Sequence, residues 1–178
     1  MHALIGPYLA SALLLVVAGG GKLVDPLPLV RALRSVRLPV GPNVVRVLAG
    51  AEVALGLVAA LTGSRAAAGL VCLSYLAFTA FVLVARSVGG VLASCGCFGR
   101  SDTPPTTLHV IVTAAAAGTA GAVALRPLGP LPDLLAAGPW AGVPLLLATA
   151  ALAAGAYLVL ALLPGLHAAR LTSPRPAR

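Results

Sequence analysis

Residues 66–85 read AAAGLVCLSYLAFTAFVLVA, twenty positions without a charged side chain, closed by Arg86. At about 1.5 Å per residue, a helix of that length spans about 30 Å, the hydrocarbon thickness of a bilayer. Blocks of the same character lie on both sides, over residues 3–24, 43–62, about 104–125 and 140–163. The sequence therefore predicts an all-α polytopic membrane protein of about five spans, forming a single transmembrane domain over residues 1–166. The remaining stretch, 167–178, is basic and proline-containing and reads as a disordered tail.

Composition supports this. Hydrophobic residues make up 60% of the 178, charged residues 9%, and the mean hydropathy is +1.04. A soluble domain carries about a quarter charged residues, so this chain lacks the polar surface needed to face water. The net charge of +8 does not point to nucleic acid, because the twelve basic residues are spread through loops and tail. The first apolar run has only Met1 and His2 ahead of it, with the first fixed positive charge at Lys22. A secretory leader carries its charge before the apolar stretch, so a retained helix is expected.

Between the spans, Gly19-Gly20-Gly21 and Pro26 read as the exit from the first helix. Arg31, Arg34 and Arg37 recur every third residue, and Leu29, Val30, Leu33 and Val36 fall mostly on the other side. That pattern predicts an interfacial amphipathic helix over about 27–38, its arginines reaching lipid phosphates. Thr103, followed by Pro104, is the expected N-cap of the fourth span. Small residues at 114, 118 and 122 have the spacing that lets helices approach closely in lipid.

The distribution of Lys and Arg sets an orientation. Ten lie on the side shared by the first connection, the loop after the third span and the tail, against Arg65 and Arg126 on the other. Positive charge marks the cytoplasmic side, so the C-terminus and the loop after the third span are expected there, in a bacterial inner or cytoplasmic membrane.

That loop contains Ser94-Cys95-Gly96-Cys97-Phe98-Gly99. On an extended strand, cysteines two apart have Cα atoms roughly 6.5–7 Å apart. A disulfide prefers about 5.5–6 Å, so the chain must bend, and Gly96 permits it. A bridge in so tight a loop is readily reduced and suits exchange rather than stapling. Arg86 and Arg100 flank the pair and favour the thiolate. A zinc site from Cys95, Cys97 and His109 is the rival chemistry, although a tetrahedral ion needs a fourth ligand. Cys72 reads as a packing residue.

Glu52 lies about nine residues inside its span, ~13 Å deep. An ionised carboxylate there should face the bundle interior, with Lys22, Arg46 or Arg86 as its partner. It reads either as an ion pair pinning two helices, or as a proton acceptor or polar wall of a quinone or substrate cavity.

The run Ala18-Gly19-Gly20-Gly21-Lys22-Leu23-Val24-Asp25-Pro26 resembles the end of the first helix in DoxX-like proteins, and Glu52-Val53-Ala54-Leu55-Gly56-Leu57 their second-helix acidic motif. Cys95-Gly96-Cys97-Phe98-Gly99 resembles the loop of the MauE branch, the methylamine-utilisation membrane proteins. The three motifs occur in family order over roughly residues 3–125. The resemblance implies a four-helix transmembrane core, to which this chain adds a fifth, C-terminal helix. It implies thiol–disulfide exchange with a thioredoxin-like partner during maturation of exported proteins. Cys95 and Cys97 would be the redox pair, Gly96, Phe98 and Gly99 the rest of their motif, and Lys22 and Glu52 the family's polar positions. Two other readings stand beside it. One is a non-catalytic scaffold or assembly subunit in a homo- or hetero-oligomer. The other is a quinone- or small-molecule-binding protein centred on Glu52.

Overall fold

The computed structural model describes residues 2–87, 106–136 and 142–161. The described chain is helical: α1 (Ile5–Val24), α2 (Leu27–Ser35), α3 (Pro42–Thr62), α4 (Arg65–Ser87), α5 (Thr107–Leu125), α6 (Leu131–Ala136) and α7 (Val143–Ala161), with a 3-10 turn at His2–Leu4. Of these, α1, α3, α4, α5 and α7 are long and apolar enough to cross a membrane. Their outward faces carry large apolar side chains such as Val47, Leu57, Leu73 and Leu147. In water such a surface would aggregate; in lipid it is solvated. The protein is an all-α, multi-pass membrane protein.

The bundle is built from two tight antiparallel pairs, α1 with α3 and α4 with α5, while α7 lies against α1 and α5. The shared core comes from Tyr8, Leu15, Ala59, Ala68, Val71, Ala120 and Val123. Two buried phenols tie helices together: Tyr8 Oη donates to the Ala59 carbonyl at 3.2 Å, and Tyr75 Oη to the Ser11 carbonyl at 2.6 Å. Each satisfies a hydroxyl that would otherwise be stranded in an apolar interior.

Several expectations are corrected. The glycines at 19–21, read as part of the exit from the first helix, lie inside α1, which runs to Val24. Gly19 is there for a helix crossing: a Cβ on it would lie 2.7 Å from the Ala49 carbonyl oxygen. Gly56 makes the reciprocal approach, with a Cβ falling 2.7 Å from the Ala12 carbonyl oxygen. These contacts pair 19 with 49 and 12 with 56, which fixes the α1–α3 register.

The N-cap of α5 is Thr106 and not Thr103. A proline disfavours helical backbone at the residue before it, so Pro105 argues for a start beyond both prolines. Thr106 also has a reciprocal partner three residues on, His109, completing a capping box. The stripe at Ala114 and Gly118 faces outward, and a Cβ on Gly118 would meet nothing within 4 Å. Buried instead are Ala116, Ala117, Ala120 and Val123, while a Cβ on Gly121 would lie 3.4 Å from the Cys72 sulfur. Spacing alone could not tell which of two neighbouring stripes turns inward. The helix after Asp25 ends at Ser35, short of residue 38, and the unforeseen α6 lies in the connection before α7.

Candidate functional site

The α1–α3 crossing brings two opposite charges together. Cα–Cβ bonds tilt toward a helix N-terminus. Lys22, near the C-terminal end of α1, therefore leans inward along the bundle. Glu52, ten residues beyond Pro42 in the antiparallel α3, leans back toward the same end. Their side chains meet as a hydrogen-bonded ion pair between Lys22 Nζ and Glu52 Oε2. The Lys22 side chain is 0% exposed and that of Glu52 6%.

Neither charge could be left alone there, since removing one partner of a buried pair typically costs about 3–5 kcal/mol. The third participant is Phe78 of α4, whose ring centroid lies 4.5 Å from Lys22 Nζ. A desolvated cation over an aromatic face gains up to ~2 kcal/mol. Phe78 is held in turn by Tyr75, edge to face, with centroids 6.0 Å apart and planes at 73°. One lysine thus links α1, α3 and α4.

A second polar group lies on α5. The Thr106 amide donates to His109 Nδ1 at 3.3 Å, and Thr106 Oγ1 sits 2.9 Å from the same nitrogen. With Nδ1 accepting, the ring proton belongs on Nε2, and His109 and Leu160 of α7 line one cavity. Thr113 Oγ1 donates to the His109 carbonyl at 2.7 Å and lies 2.8 Å from Thr79 Oγ1. Between α1, α4, α5 and α7 is a cavity of about 30 Å³, walled by Leu14, Tyr75, Phe78, His109, Thr113 and Leu160 among others. That volume suits a water-sized guest.

At the mouth of the α4–α5 pair, Arg86 Nη1 donates to Thr107 Oγ1 at 2.8 Å. The clasp holds together the two helices between which residues 88–105 run.

Among the candidates read from sequence, Lys22 and Glu52 are brought together, and Lys22 is chosen over Arg46, which is exposed, and Arg86, which bonds Thr107. Lys22 is thus a buried side chain and not a loop charge; without it, nine basic residues still oppose two in the orientation count. Cys72 is a half-buried free thiol. Cys95, Gly96, Cys97, Phe98, Gly99, Arg100 and the tail lie outside the described residues. His109 Nδ1 is engaged by Thr106, and no cluster of three metal-ligating side chains occurs among the described residues.

Phe78 and Tyr75 were not foreseen. The signal for them was an aromatic pair in the middle of a span, away from the interfaces where membrane aromatics concentrate.

The model of the family described as methylamine utilisation protein MauE matches residues 2–126, well over half of the 178. The chain belongs to the MauE family. The match takes in α1 to α5 and with them Lys22, Glu52, Phe78, His109 and the Cys95-Gly96-Cys97 motif. The remaining helices, α6 and α7, lie beyond the matched segment. Comparisons with curated proteins and with solved structures give no match.

Proposed function

We propose that this MauE-family protein is a membrane thiol–disulfide exchanger whose reactive pair is Cys95 and Cys97. The observation that carries the reading is that the family match encloses the chain's one closely spaced cysteine pair, Cys95-Gly96-Cys97. The partner is a thioredoxin-like protein, and the exchange supports disulfide formation in exported proteins, consistent with a role in methylamine utilisation. Kinship with the wider DoxX-like group is part of the same reading.

In the exchange, a thiolate of the partner attacks one sulfur of the Cys95–Cys97 disulfide and displaces the other as thiolate. The partner's second thiolate then attacks the mixed disulfide. The partner leaves oxidised, and Cys95 and Cys97 hold the two electrons and two protons. A membrane quinone is the matching proposal for the acceptor that reoxidises them. Arg86, Arg100, Lys22 and Glu52 act as supporting residues. The clasp between Arg86 and Thr107 supports this by giving the cysteine segment a fixed base. The reading that makes Glu52 itself a ligand-binding centre has less support, because its carboxylate is taken up by Lys22.

The test is to trap the intermediate. With Cys97→Ser or Cys95→Ser, one variant should accumulate a disulfide-linked adduct with a thioredoxin-fold protein, visible on non-reducing gels and absent from the double variant. Unchanged partner redox state and target maturation in the double variant would favour a scaffold instead.

A further inference from the structure

The connection between α1 and α3 carries a feature that neither the thiol chemistry nor the packing uses. Because α1 and α3 both cross the membrane, α2 lies at the bilayer boundary between them. Its Leu29 and Val30 pack on Val45 in the second turn of α3. Around that small core, Arg31, Arg34, Arg37 and Arg46 are all exposed. Of the two acids nearest in sequence, Asp25 accepts the Leu27 amide at 3.1 Å and Glu52 pairs with Lys22. Among the described residues, the only ion pair is Lys22–Glu52, so these four guanidinium groups have no acidic partner in the described chain.

Arg37 is the telling member. The Leu38 amide donates to the Leu33 carbonyl at 3.0 Å and the Arg37 amide to the Arg34 carbonyl at 3.0 Å. Those two bonds are the signature of a Schellman motif, in which the residue after the cap is left-handed and most often glycine. Here it is Arg37 at φ 65°, the one non-glycine residue with positive φ among those described. Glycine would take that conformation without the Cβ penalty. A strained backbone at a position where a simpler residue fits better points to a use for the side chain.

We infer that α2 and the start of α3 form a headgroup site for anionic phospholipid, with Arg31, Arg34, Arg37 and Arg46 supplying the positive charge. The chemistry is complementary on each count. Guanidinium forks match phosphate oxygens, the patch is fixed at headgroup level by the two spans that flank it, and its positive charge has no acidic partner among the described residues.

The experiment is native mass spectrometry of the full chain in detergent, titrated with phosphatidylglycerol or phosphatidylcholine. In detergent there is no leaflet, so retention is independent of how the chain was oriented. Phosphatidylglycerol should be retained in preference to phosphatidylcholine. Combined Arg31→Gln, Arg34→Gln and Arg37→Gln substitutions should weaken its retention roughly a hundred-fold, about five-fold per arginine. Arg126→Gln, remote from the patch, should leave it unchanged.

Arg37→Gly separates a binding role from a structural one. It should raise the thermal midpoint while weakening phosphatidylglycerol retention about five-fold. Equal retention of both lipids would overturn the inference, as would displacement of phosphatidylglycerol by equimolar inorganic phosphate, which would mark a free-anion site. So would an Arg37→Gly variant that loses stability and keeps its lipid. Unchanged lipid retention in the triple variant, with loss of an acidic protein partner, would reassign the patch to protein docking.

Discussion

Lys22 of α1 is wholly buried and meets Glu52 of α3 beneath the ring of Phe78, so that a single ammonium group joins three membrane helices. The pair depends on register: Gly19 against Ala49 and Gly56 against Ala12 bring the two side chains to the same depth, leaning toward each other.

Breaking the pair from one side should therefore be severe. Lys22→Met or Glu52→Leu alone should destabilise the bundle by about 3–5 kcal/mol in reversible unfolding from micelles. The double replacement should recover most of that loss, since it removes both buried charges. Additive effects of the two single changes would show that the residues do not interact.

Phe78→Leu keeps an apolar side chain but removes the face that the Lys22 ammonium sits over. A loss of about 1–2 kcal/mol is expected, and it should vanish in a Lys22→Met background. A double-mutant cycle on thermal midpoints checks this.

The glycines divide into two groups. Gly19→Ala and Gly56→Ala drive a Cβ into a backbone carbonyl and should each destabilise by about 1–3 kcal/mol. Gly118→Ala and Gly50→Ala point into open space and should change stability by no more than about 0.5 kcal/mol. Unfolding of the four variants under one set of conditions provides the comparison.

At the start of α5, Thr106→Ala removes the side-chain half of the capping box with His109. A local loss of about 1 kcal/mol is expected, read as roughly five-fold faster amide exchange in the first turn of α5 with the other spans unaffected.

The spans were legible because a bilayer demands about 20 apolar residues in a row, and that demand is visible without knowing any contact. Pro42 and Arg65 stand at the starts of two of those helices as punctuation. What was not legible depended on which helix face turns inward. Three basic residues could have met Glu52, and only the Gly19–Ala49 contact selects Lys22. Gly19 itself read as part of the helix exit, because a glycine needed for close approach and one needed for an exit are the same letter. Thr106 was hidden by Thr103, which precedes a proline, until His109 supplied its reciprocal bond. Cys95 and Cys97 were read from their spacing and from the family resemblance, and they lie outside the described residues.

The most direct test of the proposed function is thiol trapping in intact cells, with membrane-permeant and impermeant maleimides applied before and after reduction. The account predicts that Cys95 and Cys97 label only after reduction, while Cys72 serves as an internal free-thiol reference under denaturing conditions. Restriction of the label to the permeant reagent would place the pair on the cytoplasmic side. Full labelling of both cysteines without reduction, with partner redox state unchanged in the Cys95→Ser, Cys97→Ser double variant, would contradict the account.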